Sequence, residues 1–235
     1  MLIAAIDRGN TRCKVGIFSP NGLLENVEIV ENYDNAIAFL NAQNIDKAIS
    51  NSFDETEIIP SFNLIKFDYD FKLPFINKYQ TPNTLGIDRI AAVTAVSLSF
   101  KNQNTLVFNA GTCLTIEFLN ENNEYLGGNI SPGLHMRLKA MNTFTQKLPL
   151  STIENIITNM GNSTLSALAN GAYYGMLNEI EGYINYYNSQ YNQLNVVLCG
   201  GDTIHFDKQL KTKIFAQPNL VLEGLYQILR LNENK

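Results

Sequence analysis

This 235-residue chain has only three cysteines and two histidines. Cys13, Cys113 and Cys199 are odd in number, far apart and free of any C-x-x-C pair. That excludes a disulfide framework and points to reduced thiols in a cytoplasmic protein. His135 and His205 lack ligand-spaced companions, so they read as polar surface or interface residues rather than metal ligands or bases. Lys and Arg nowhere cluster, the net charge is −5 and the pI is about 5.1, so nucleic-acid binding has no electrostatic support. No apolar run approaches the ~20 residues of a membrane span, and charge enters at Asp7, too early for a signal peptide. There is no G-x-G-x-x-G. Gly128–Gly133 has the G-x-x-x-x-G spacing, but Leu134 and His135 stand where a P-loop needs Lys and Ser or Thr.

What is present is a pattern that occurs twice. Asp7-Arg8-Gly9-Asn10-Thr11 follows the apolar run Leu2–Ile6, and Asn109-Ala110-Gly111-Thr112 follows Leu106–Phe108. A second β-prone run comes after each, Lys14–Phe18 and Leu114–Leu119. The two turns begin 102 residues apart (Asp7 to Asn109), which suggests two related halves, each with a strand–turn–strand. A pair of such turns makes a phosphate clamp: glycine lets backbone N–H groups approach an anion, and side-chain oxygens bond to phosphate or a hydrated cation. Taken singly, each turn also reads as an ordinary β-hairpin.

The remaining pattern supports two α/β halves, divided near the polar run Lys101–Asn104, with a core of ordinary proportions and 45% apolar residues. Strands are expected at Leu2–Ile6, Arg12–Phe18, Leu23–Val30, Ala48–Ser50 and Leu64–Phe67. The helical spacing of Ile37, Phe39 and Leu40 predicts a helix over Asp34–Ala42. Asp68–Thr84 reads as a loop, and a helix should start near Gly86. The second half repeats the order, with strands at Thr105–Phe108, Leu114–Leu119, Tyr125–Ile130 and Val196–Leu198, and helices over Leu165–Tyr187 and Leu220–Leu231.

Three more segments bear on chemistry. Gly127-Gly128 with Pro132-Gly133 reads as a strand exit and helix start. Gly200-Gly201-Asp202 ends an apolar strand, where glycines let a flat ring or a phosphate near the backbone. In Thr84-Leu85-Gly86-Ile87-Asp88-Arg89, a cation in a helix's first turn opposes the dipole, so local stability does not explain Arg89. Asp88 and Arg89 are either a surface ion pair of little worth or a base beside a guanidinium that grips an anion.

Taken in order, these pieces resemble the type III pantothenate kinases of the acetate and sugar kinase/Hsp70/actin superfamily. The matching residues are Asp7-x-Gly9-Asn10-Thr11 with Lys14 and Gly16, Tyr79, and Gly86-x-Asp88-Arg89. They continue with Ala110-Gly111-Thr112 and Thr115, Gly127-Gly128-x-Ile130-x-Pro132-Gly133, Gly161-x-x-Thr164, Gly171 and Gly200-Gly201. The resemblance implies an α/β fold of two duplicated ribonuclease H-like (actin-like ATPase) halves around a nucleotide cleft, residues 1–102 and 103–235. It implies transfer of the ATP γ-phosphoryl to pantothenate, the first step of coenzyme A synthesis, in a homodimer with its sites near the interface. By the same token Asp7, Arg8, Gly9, Asn10, Thr11, Arg12, Cys13, Lys14 and Thr112 would contact ATP, and Asp7 would lie near magnesium. Tyr79, Gly86, Ile87, Asp88, Arg89 and Thr164 would line the pantothenate pocket, with Asp88 as base and Arg89 toward the substrate carboxylate.

One position departs from the pattern. Where the family has an Asp that helps hold potassium or ammonium, this chain has Asn109. An amide keeps an oxygen ligand but loses a full charge, so cation affinity is expected to be lower. Two alternatives accompany this reading: a kinase for another small hydroxy or carboxylic acid, and a non-catalytic regulator of the same fold. The acidic balance turns the regulator toward protein partners rather than DNA.

Overall fold

The computed structural model describes residues 2–9, 12–52, 57–158 and 160–233. In chain order the elements are β1 (Leu2–Arg8), β2 (Cys13–Phe18), β3 (Leu24–Val30), α1 (Tyr33–Asn41), β4 (Ile45–Ser50), β5 (Asn63–Lys66), β6 (Ile76–Asn77) and α2 (Ile87–Ser99). They continue with β7 (Asn104–Ala110), β8 (Cys113–Leu119), β9 (Glu124–Pro132), α3 (Leu134–Thr143) and α4 (Thr164–Gln190). The chain finishes with β10 (Leu194–Cys199), α5 (Thr203–Phe206), β11 (Phe215–Ala216) and α6 (Leu220–Leu231).

The expected duplication is visible in the two sheets. One runs β3-β2-β1-β4-β5; the other runs β11-β10-β7-β8-β9-β6. Matching β1 with β7, β2 with β8, β3 with β9, β4 with β10 and β5 with β11 gives the same strand order in both. The central strand pairs in parallel with the strand that follows a long connection, β1 with β4 and β7 with β10. Each expected strand is found, extended at most by a few residues. The Asp68–Thr84 segment, expected as a loop, also holds β6 and a 3-10 turn at Pro82–Thr84. Gly133 stands between the end of β9 and the start of α3, as expected, whereas Gly127 and Gly128 lie within β9 rather than at its exit.

Two compact units result. The first comprises Met1–Asn102, Leu119–Gly127 and Asn219–Lys235; the second comprises Gln103–Phe118 and Gly128–Pro218. The chain thus re-enters the first unit twice after residue 102. In the first unit, successive residues of β1 face opposite sides of the sheet. Ala4 and Ile6 meet Tyr33, Ala36, Ile37 and Leu40 of α1, and α6 packs on β1 as well. A strand covered on both faces explains the unbroken apolar run Leu2–Ile6. In the second unit, Leu106 and Phe108, Leu114, Ile116 and Phe118, and Val196 and Leu198 share a core with Leu134, Leu138, Met176 and Ile180.

The tightest helix pair in the first unit is α2 with α6. Both helices are buried over much of their length, from Arg89 to Ser97 in α2 and at most positions from Leu220 to Leu229 in α6. At their crossing Gly224 lets the backbones touch: a Cβ there would lie 1.9 Å from the Ala91 carbonyl oxygen. Backbone cannot yield as a flexible side chain does, so Gly224→Ala is expected to destabilise the protein by about 1–3 kcal/mol. Chemical denaturation would show this as a lower midpoint with an unchanged slope.

Candidate active site

The end of β1 is the centre of the site in the first unit. Asp7 stands there half-buried, in register with Lys14 on β2. The parallel neighbour β4 runs into Asn51, whose Nδ2 donates to Asp7 Oδ1 at 2.6 Å. Its Oδ1 accepts from the Arg8 amide at 2.8 Å, so one amide side chain holds both the carboxylate and the backbone beside it. The turn itself is closed by Gly9 N–H donating to the Arg12 carbonyl at 3.0 Å. Arg8 and Arg12 are exposed. Cys13, given as an ATP contact by the resemblance, has its side chain buried among Ala4, Ile6 and Val15 in the core, as a packed small hydrophobe. Asn10 and Thr11, both expected to contact ATP, lie outside the described residues.

Burial lifts the Asp7 carboxyl from the usual 3.8 to about 6, with the Asp88 carboxylate adding to the rise and Lys14 and Asn51 opposing it. Asp88 is therefore near enough to be felt. Lys14 has a second acidic neighbour in Glu223, in the first turn of α6; burial raises that carboxyl and Lys14 opposes the rise.

Gly86, Ile87, Asp88 and Arg89 form the start of α2. Gly86 is its N-cap and makes no side-chain cap. A Cβ at Gly86 would lie 2.6 Å from Asp88 Oδ1, so a side chain there would displace the carboxylate. Arg89 is buried, its Nη2 donating to the Tyr125 hydroxyl at 3.0 Å and its guanidinium 5.5 Å from the Tyr79 ring centre. Arg89 is therefore not half of an exposed surface pair. Tyr79 and Gly86 to Arg89, separated in sequence, belong with Asp7 and Lys14 to one unit.

The second unit carries Asn109, Thr112 and Thr164. Asn109 is the last residue but one of β7, opposite Cys199, and Thr112 is exposed in the turn between β7 and β8. Thr112 also accepts the Gly133 amide through its carbonyl, at 3.1 Å. Gly200 follows β10 at φ +94°, a conformation that suits glycine. A Cβ there would fall 2.5 Å from Asn109 Oδ1 and 2.3 Å from the Ala110 carbonyl oxygen, so any side chain would collide with both and glycine is required. Thr164 is exposed in the first turn of α4, behind the Ser163–Ser166 capping box. His135 is exposed, 3.8 Å from Asp202, in keeping with a polar surface residue. Among the described residues no group of three or more His, Cys, Asp or Glu could hold a metal, and no helix is long and apolar enough to cross a membrane.

The sequence reading did not single out Asn51 or Tyr125 for the site. A polar residue directly after β4, where Gly200 follows β10, was the available signal for Asn51. For Tyr125 it was an aromatic two residues before Gly127-Gly128.

The duplicated α/β architecture is that of actin-like ATPases and sugar kinases. A ROK family glucokinase from Streptomyces griseus, solved with glucose and AMPPNP, superposes with a TM-score of 0.53 at 10% identity, over 98% of this chain and 99% of that one. Within that class the sequence is specific. Residues 61–186 match the family model for type III pantothenate kinase. The type III pantothenate kinase of Bacteroides fragilis (strain YCH46) is 42% identical over 238 residues, 98% of either chain. That of Flavobacterium johnsoniae is 36% identical over 240 residues, 96% of either chain. The chain belongs to the type III pantothenate kinase family.

The Asp7 carboxyl binds its proton more tightly folded than unfolded, so folding is favoured below pH 3.8 and the advantage is lost as pH rises through about 6. Asp7→Asn, which mimics the protonated form, is expected to match the parent near pH 4 and to exceed it by up to about 3 kcal/mol above pH 6. Denaturant unfolding of both proteins from pH 4 to 8 measures the difference.

Proposed function

We propose that this chain transfers the γ-phosphoryl of ATP to the primary hydroxyl of pantothenate, with Asp88 as the general base and Arg89 holding the substrate carboxylate. The product, 4′-phosphopantothenate, enters coenzyme A synthesis. The observation that carries the assignment of roles is the Asp88-Arg89 step at the start of α2, with Asp88 acting electrostatically on Asp7.

Phosphoryl transfer asks chiefly for positioning and charge neutralisation. Asp88 accepts the hydroxyl proton as the oxygen–phosphorus bond forms and the bond to ADP breaks. Lys14, in register with Asp7, meets phosphate oxygens as a cation of the first unit. Asp7 would hold magnesium, which usually binds through one or two carboxylates, waters and substrate phosphates, so a single carboxylate is a fitting donor. When bound, magnesium neutralises charge on the phosphates. A carboxylate held partly protonated near pH 6 gains from a cation beside it, which supports that role for Asp7.

Asn109 offers an amide oxygen to a monovalent cation such as potassium or ammonium, which would be held without a formal negative charge from residue 109. Phe144, Leu150, Met160 and Leu165 are exposed apolar residues of the second unit. They support a homodimer, in which Thr164 would serve the substrate pocket of the neighbouring chain.

Activity measured with ATP, magnesium and pantothenate, with and without potassium, tests the reading. Asp88→Asn is expected to lower kcat about 100- to 10,000-fold, the range of a positioned general base. Unchanged turnover in this variant would remove Asp88 from that role. Asn109→Asp is expected to lower the potassium concentration needed for half-maximal activity, read from a potassium titration of both proteins.

A further inference from the structure

The contact between Arg89 and Tyr125 extends the proposed function to substrate selection, and the inference rests on that function. Tyr125 is fully buried and is placed by a short ladder: Asn77 of β6 lies opposite it, and the Lys78 amide donates to its carbonyl at 3.0 Å. The same ladder holds Tyr79, whose amide donates to Asn77 Oδ1 at 2.9 Å. The two rings stack with centres 6.1 Å apart and an interplanar angle of 23°. Phe75 packs edge-on to Tyr125 at 6.0 Å.

Both rings meet Arg89. The guanidinium carbon lies 5.5 Å from the Tyr79 ring centre, within cation–π range. The Tyr125 hydroxyl accepts from Nη2, a directional contact that fixes how the guanidinium is turned. A guanidinium recognises a carboxylate by offering two parallel N–H donors along one edge, so the direction of that edge matters. Packing alone does not need the hydroxyl, since phenylalanine would fill the same space. We propose that Tyr125 is a positioning residue for the acceptor. Its hydroxyl aims the Arg89 guanidinium, and this sets the preference for pantothenate over the analogue that ends in an alcohol instead of a carboxylate.

The test is steady-state kinetics of the full chain and Tyr125→Phe with pantothenate, with its alcohol analogue pantothenol, and with ATP. In the variant, KM for pantothenate is expected to rise about tenfold, the scale of one hydrogen bond to a charged group. The preference for pantothenate over pantothenol is expected to fall by the same factor, while KM for ATP stays within about twofold. A variant with unchanged selectivity, or one weakened equally toward both acceptors, would overturn the inference while leaving the kinase reading intact. A parent protein that turns over both acceptors equally would do the same. A parent protein inert toward pantothenate would overturn both. Should Tyr125→Phe not fold, Arg89→Lys keeps the charge but lacks the planar edge. It is expected to lose the same selectivity, and selectivity retained there counts against the inference.

Discussion

A carboxylate at the end of a central strand, partly withdrawn from water, is unstable unless charge and hydrogen bonds are brought to it. In the first unit several elements converge on that requirement at Asp7. Antiparallel pairing of β1 with β2 fixes Lys14 opposite, and parallel pairing with β4 delivers Asn51. The last helix brings Glu223 toward Lys14 from another direction. Asp88 acts the other way, as a like charge. The outcome is a carboxyl whose ionisation is incompletely compensated by the protein itself. A site left in that condition gains from a cation arriving with the substrate, which is how a phosphate-handling enzyme ties metal binding to nucleotide binding.

The duplication separates what the architecture demands from what the chemistry adds. Both central strands carry a short polar side chain one residue before their end, with a glycine turn beyond it, and in both the first residue past the parallel neighbour lies close to that side chain. In the first unit the pair is Asp7 and Asn51; in the second it is Asn109 and Gly200. One copy spends the arrangement on a charge held by a side chain. The other sets two neutral oxygens so close to a glycine that a side chain there would collide with them. The same backbone thus supports two electrostatic environments.

Much of this was legible in the sequence. The strand–turn–strand repeats were visible because a glycine and a short polar residue interrupt strongly β-prone runs, a local signal. The start of α2 was visible because Gly86 precedes the apolar helical run Ala91 to Val96, and Arg89 stood out there because the helix dipole disfavours a cation in the first turn. The neighbours that complete the site were not, because they arrive through long-range pairing. Asn51 meets Asp7 across the β1–β4 ladder, and Tyr125 meets Arg89 through β6, two residues long and without periodicity of its own. Nor does the pattern of α6 tell that its apolar stripe belongs to the first unit, since amphipathicity names a buried face and not its partner.

Membership of α6 in the first unit governs the order in which the two units are completed. Residues 103–118 and 128–218, the whole second unit, leave the ribosome before α6 does. Until α6 arrives, α2 lacks the helix that meets Ala91, and β1 lacks one of its covering layers. The domain that begins first during synthesis is therefore completed last, and an elongating chain carries an open apolar face through most of translation. A protein built this way depends on keeping its early half from finding other partners before its final helix closes it.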